Sequence, residues 1–235
     1  MKIQTTSDFS SNHGVKILIF GQSGVGKTYA ASTLQGFKPL LISAESGVLS
    51  LRNFKIPMID IAKDDDGNPI DMKDRIARLH KIFTFLKEGK HDFDTIYLDS
   101  LTEVNQCLMA YLKHKYPDRK DCLLMYGENA ELMMKIVKEF RDLKYNVIIT
   151  ALASVEKDDI GRRFIAPDVI GRFSQALPQL FDEVFYLHAK LEEEGKVVRK
   201  FQTFPTENIM AKDRSGTLEP FEEVNLSKII KKIKG

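Results

Sequence analysis

The chain has 235 residues, 43% of them hydrophobic and 29% charged, with a formal net charge of only +2. That balance excludes a disordered or fibrous chain, and the length suffices for one buried core, so a single domain over 1–235 is expected. The near-neutral charge gives no global field for nucleic acid, and no stretch approaches the roughly 20 apolar residues of a bilayer span, so a soluble protein without a membrane partner is expected.

Residues 1–14 are polar and carry no apolar signal core, which reads as a flexible leading segment. Val15 to Phe20 is a short, apolar, β-branched run and predicts a strand; Lys27 to Leu34 reads as a helix. Between them Gly21-Gln22-Ser23-Gly24-Val25-Gly26-Lys27-Thr28 fits the pattern G-x-x-x-x-G-K-S/T. Glycines at these places let backbone N–H groups turn inward around the β- and γ-phosphates of a nucleotide. Lys27 would neutralise phosphate charge, Thr28 would offer its hydroxyl to Mg²⁺, and Tyr29 continues the nucleotide-binding segment at the positive end of the helix. ATP and Mg²⁺ are the expected cofactors.

Pro39 to Ser43 predicts a second strand, followed by Ala44-Glu45-Ser46-Gly47, and Glu45 is the best-placed acid to activate an attacking water. Lys63 to Pro69 is an acidic turn expected to form a mobile surface loop. Thr95 to Asp99 is a buried-strand run ending in an acid, which makes Asp99 the expected second Mg²⁺ anchor. From Tyr126 to Lys144 the apolar positions Leu132, Ile136, Val137, Phe140 and Leu143 recur at helical spacing and place one face on a sheet. Asn146 to Ala151 and Glu183 to Ala189 predict further strands; Lys196 to Phe204 and Asn208 to Ala211 suggest hairpins. The alternation predicts an α/β fold, with a mostly parallel central sheet flanked by helices and antiparallel strands added at one edge.

In the tail, Leu226, Ile229, Ile230 and Ile233 share one face of a helix over 225–234, with lysines outside, so a packing helix is expected rather than a DNA-binding arm. Cys107 and Cys122 show neither CxxC nor metal-ligand spacing and read as reduced and buried. The five histidines form no zinc-ligand pair.

Ser43-Ala44-Glu45, Leu98-Asp99-Ser100 and Lys212-Asp213-Arg214-Ser215-Gly216 together resemble the RecA/RadA branch of P-loop ATPases. Over about residues 14 to 233 the chain is similar to the compact phage RecA-like ATPases, some of which are Sak-type single-strand annealing proteins. The resemblance implies a catalytic role for Lys27, Glu45 and Asp99, and fingers at Lys212 and Arg214 reaching the γ-phosphate of a neighbouring subunit. It also implies a homo-oligomeric ring or filament with ATP at subunit interfaces, in the host cytoplasm if the gene is phage-borne. Thr150-Ala151 stands where RecA has an Asn-Gln switch pair.

In such proteins the loops after the fourth strand hold single-stranded DNA. Here that region, Ser154 to Pro178, mixes Lys157, Arg162, Arg163 and Arg172 with Phe164 and Phe173, cations for phosphates and rings for stacking. Single-stranded DNA is therefore the expected partner, with a single-strand DNA-binding protein as a further one. The resulting expectation is a DNA-stimulated ATPase that promotes annealing or strand exchange. Its rivals are a helicase-type motor ring, which would share the nucleotide residues, and an ATP-driven assembly switch that ignores DNA. A small-molecule kinase lacks support because no Arg-rich lid segment is present, and a Ras-like GTPase because no Asn-Lys-x-Asp element is.

Overall fold

The computed structural model describes residues 5, 13–118, 122–157, 161–169, 173–192 and 195–235. The strands are β1 (Lys16–Gly21), β2 (Pro39–Ser43), β3 (Met58–Asp60), β4 (Thr95–Asp99), β5 (Asn146–Lys157), β6 (Arg163–Pro167), β7 (Glu183–Leu191), β8 (Val197–Gln202), β9 (Lys212–Asp213) and β10 (Phe221–Glu223). The helices are α1 (Lys27–Ala30), α2 (Arg75–Glu88), α3 (Leu101–Lys115), α4 (Cys122–Arg141), α5 (Phe173–Ala176) and α6 (Leu226–Lys234).

The sheet runs β10-β8-β7-β1-β5-β4-β2-β3, with β6 added on β5 and β9 on β7. Strands β3, β2, β4, β5, β1 and β7 are parallel, whereas β8, β9 and β10 join antiparallel to their neighbours. This is the mixed α/β architecture read from the sequence, parallel at its centre and antiparallel at one edge.

The alternation along β1 explains the layering. Leu18 and Phe20 face one core with Leu79, Ile82 and Leu86 of α2, Val104 and Leu108 of α3, and Met133, Val137 and Phe140 of α4. Ile17 and Ile19 face the other, with Ala30, Ala31 and Leu34 beside α1 and Leu226, Ile229 and Ile230 of α6. Residues two apart on a strand share a face, so a continuous apolar run such as β1 serves two layers of helix. Among the described residues no helix is long and apolar enough to cross a membrane.

Several local expectations change. The helix after the glycine loop ends at Ala30 and tightens into a 3-10 turn over Ala31–Thr33, instead of running to Leu34. Ser32 Oγ donates to Tyr29 O at 2.8 Å and Thr33 Oγ1 to Ala30 O at 2.7 Å, side-chain bonds that occupy carbonyls near the helix end. Thr33 then links the two ends of that layer: the Leu226 N–H donates to Thr33 Oγ1 at 2.9 Å, and Ser227 Oγ donates to Thr33 O and Gln35 O. Helix α4 starts by Cys122, ahead of Tyr126. Asn208 to Ala211 is no strand and contributes only isolated bridges through Ile209. The acidic turn is internally tied, since Asp64 accepts from Asn68 N at 2.8 Å, Asp66 N at 3.0 Å and Asn68 Nδ2 at 3.0 Å. Cys107 is buried and unoxidised, as read from the sequence.

The foot of the sheet holds a strained charge. Glu183, at the start of β7, is fully buried, accepts from Ser215 N at 3.2 Å, and leaves Oε2 without a partner. Burial, with the nearby Asp213 carboxylate adding to it, pushes its pKa up to about 7. A carboxyl raised in the fold contributes stability at low pH that is lost as pH rises from its unfolded value through about 7. Lys16, lowered to about 8 by its burial, changes its contribution only above that window. Glu183→Gln should therefore flatten the fall in melting temperature between about pH 4.5 and 7 and stabilise the protein by up to about 3 kcal/mol at pH 8. Thermal melts of both proteins across that range check this.

Candidate nucleotide site

The glycine loop leaves β1 at Gly21, where an added Cβ would lie 2.9 Å from Leu187 O of the adjacent β7. Gly24 and Gly26 take φ of 75° and 107°, a left-handed region that L side chains rarely adopt. The loop curls around the Lys27 side chain, whose Nζ donates to Gly21 O at 3.0 Å and Gln22 O at 2.9 Å. Lys27 is largely buried, and that burial lowers its pKa against the opposing pull of Asp99 and Glu45. From below, the buried Tyr97 hydroxyl donates to Lys27 O at 2.6 Å and fixes the turn from loop into helix.

Asp99 sits at the end of β4, only 4% exposed, where the Asp99–Ser100 peptide is cis. Thr28 Oγ1 donates to its Oδ2 at 2.6 Å, and Thr150 Oγ1 of β5 donates to its Oδ1 at 2.5 Å. Burial raises the Asp99 pKa; the two hydroxyl bonds oppose that, and Glu45 adds to it. Thr150, from the neighbouring strand, thus serves the Asp99 carboxylate.

Glu45 is held by one side-chain bond and by the turn that follows it. Ser100 Oγ donates to Glu45 Oε1. The turn after it bends at Ser46, φ 55°, whose N–H donates to Ser43 Oγ at 3.1 Å and whose hydroxyl donates to Asp60 Oδ2 at 2.8 Å. Glu45 lines a polar cleft of about 380 Å³ together with Ser23, Arg75, Thr102 and Glu103. Arg75 and Glu103 pair across it at 3.6 Å.

The structure therefore brings Lys27, Thr28, Glu45 and Asp99 into one site. Tyr29 is 45% exposed at the rim and meets Phe54 edge-on, ring centroids 6.0 Å apart. Lys212 and Arg214 lie elsewhere: Lys212 pairs with Val184 near the start of β7, whereas the loop meets β7 at Leu187. Lys212 Nζ donates to Phe181 O at 2.6 Å, and Arg214 pairs with Asp182 at 2.8 Å.

The expected DNA segment divides. Lys157 and Arg163 face each other across the β5–β6 hairpin, with Arg162 just before it and Phe164 following. Phe173 is corrected by its environment: it is 4% exposed inside the core, so its ring is not available to stack on a base. Arg172 lies outside the described residues.

Sequence reasoning missed the roles of Tyr97, Ser100, Phe54 and Arg199. Tyr97 had a signal, since it lies two residues before Asp99 on the same strand. Arg199 had none; its Nε reaches Val25 O at 2.9 Å across 174 residues of sequence.

Gly24 and Gly26 add no side chain to the cradle, the Lys27 ammonium lies within it, and a hydroxyl and a carboxylate stand side by side as hard oxygen donors. No cluster of three or more His, Cys, Asp or Glu that could hold a metal occurs among the described residues. Mg²⁺ at a nucleotide needs only one or two protein oxygens, the rest coming from phosphates and water, so the donor set fits.

A glycine phosphate loop between β1 and α1, with an acid delivered from β4 beyond an intervening β5, defines a P-loop ATPase. A family model described as an AAA domain matches residues 13–215, and the chain belongs to that family of P-loop ATPases. No curated protein matches the chain.

Tyr97→Phe removes the hydroxyl under the loop and leaves the Lys27 carbonyl without that donor. Chemical denaturation should show a loss of about 1–2 kcal/mol, and nucleotide affinity should fall with it.

Proposed function

We propose that this ATPase binds single-stranded DNA and promotes annealing or strand exchange, with ATP held between adjacent copies of the chain. The observation that supports it is the path of β5. Thr150 of that strand is bonded to Asp99, and the same strand runs on past the parallel sheet into the hairpin carrying Lys157, Arg162 and Arg163. A change at the phosphates can thus reach a cationic hairpin along one continuous strand.

In the hydrolytic step Lys27 turns from the loop carbonyls to the phosphates and offsets their charge. Glu45, oriented by Ser100, takes a proton from the attacking water, and the Ser23–Glu103 cleft beside it admits that water. Magnesium bound with the nucleotide would supply Lewis-acid polarisation, held by Thr28 Oγ1 and Asp99 Oδ2. The Tyr29–Phe54 pair offers aromatic faces next to the loop for the base.

Lys212 and Arg214 act on the nucleotide of a neighbouring copy. They stand apart from their own loop and line an open groove of about 630 Å³ with Phe164 and Gln175. That groove also supports a coupling between the subunit contact and the DNA hairpin.

ATP turnover measured with and without single-stranded DNA tests the reading. Stimulation together with strand binding at low salt is expected, and binding should weaken steeply as salt rises. Turnover indifferent to DNA, with no strand bound at low salt, would remove the recombination role. Glu45→Gln should keep nucleotide affinity and lose at least about 100-fold in turnover; normal hydrolysis by this variant would show that Glu45 is not the base. Inactive Lys27→Ala and Arg214→Ala proteins, mixed, should recover part of the turnover because some mixed interfaces combine both intact halves.

A further inference from the structure

Arg199 projects from β8, opposite Ala189 of β7, onto the outer side of the phosphate loop. Its Nε donates to Val25 O at 2.9 Å, and a Cβ at Gly26 would lie 3.1 Å from Nε and 3.2 Å from Cδ. Glycine at position 26 therefore leaves room for this side chain as well as for the loop's left-handed bend. The two terminal guanidinium nitrogens make no hydrogen bond among the described residues, and no described carboxylate pairs with Arg199.

An exposed arginine normally keeps its head in water or on an acid. This one rests on a neutral carbonyl of a loop whose shape suits a polyanion. Lys27 does the same from inside, with its ammonium on the Gly21 and Gln22 carbonyls. Both cations thus rest on neutral carbonyls of the loop itself. Bonds from a guanidinium to phosphate oxygens are charge-assisted on both sides, whereas the bond to Val25 O is charge-assisted on the donor side alone, so phosphate would outcompete Val25 O.

We propose that Arg199 is a phosphate-binding residue acting in cis, closing on the nucleotide's phosphate chain from the β7–β8 hairpin. This assignment rests on the nucleotide occupying the glycine loop. It gives the site a second cation within a single chain, distinct from Arg214, which serves another copy. It also makes the hairpin respond to an occupied loop, because the contact that holds Arg199 on Val25 is exchanged for one to the ligand.

Calorimetric titration of the full chain with Mg-ADP, and separately with tripolyphosphate, tests it on the unsubstituted protein and on Arg199→Ala. Both ligands should bind the variant about tenfold more weakly, while the melting temperature without ligand stays unchanged because the side chain is exposed. Equal affinity of the two proteins for tripolyphosphate overturns the assignment, and a loss confined to Mg-ADP overturns it too, by placing Arg199 on the ribose or base. If the unsubstituted chain binds neither ligand, the nucleotide site itself falls and the assignment with it, an outcome distinct from the other two.

Discussion

Two opposite charges are buried together at the upper end of the sheet. Lys27 is 8% exposed and Asp99 4%, and burial pushes the lysine's pKa down and the acid's up. Charges in such a place are costly unless hydrogen-bonded or paired. Around them the chain arranges neutral partners: the Gly21 and Gln22 carbonyls for the lysine, and the Thr28 and Thr150 hydroxyls for the aspartate. Those partners come from the loop, α1 and β5, so the requirement to satisfy two ionic groups fixes how these pieces meet. A polyanion with its metal ion answers the same electrostatic demand more strongly than the neutral groups do.

The layers beneath hold this arrangement firm. Strand β5 lies between β1 and β4, which lets one residue from it reach the Asp99 carboxylate while Tyr97, from β4, reaches the loop. Helix α1 is too short to anchor itself, and α6 steadies it from the side through Thr33 and Ser227. Asn225 caps α6 by accepting from Lys228 N at 3.0 Å, so the helix starts where its bonds to Thr33 and Gln35 require. The apolar face of α6 packs with Ala30, Ala31 and Leu34, and Lys228 and Lys232 pair with Glu223 and Glu222 on the outside.

What the sequence made legible follows from how local each signal is. The phosphate loop is contiguous, and its glycines, lysine and threonine carry their chemistry in one stretch. Strands β1, β2, β4 and β7 were legible because each is a short apolar run cut by polar residues, and Asp99 because it ends such a run. Glu45 was found by its place after β2, but the Ser100 bond that orients it depends on two strands lying side by side. Phe173 misled because an aromatic among cations looks like a stacking ring, whereas α5 and the core claim it. Arg199 could not be read at all, since nothing near it in sequence indicates that β8 returns beside the loop. The length of α1 was misjudged because Ala30, Ala31 and Leu34 favour helix, while Ser32 and Thr33 redirect their hydroxyls to the backbone.

The seating of β1 has a bearing on how the chain acquires its shape. The Val15 N–H bonds to Asn146 Oδ1 across 131 residues, and the Lys16 N–H bonds to Asp182 Oδ2 across 166. Although it comes first among the described strands, β1 occupies a slot whose two walls lie much further along the chain, and loop-closure entropy must be met before those contacts form. The phosphate motif therefore has no seat until the segments around Asn146 and Asp182 are in place. Nucleotide would recognise only molecules whose distant segments have already come together, and so would act as a selector for correctly completed ones.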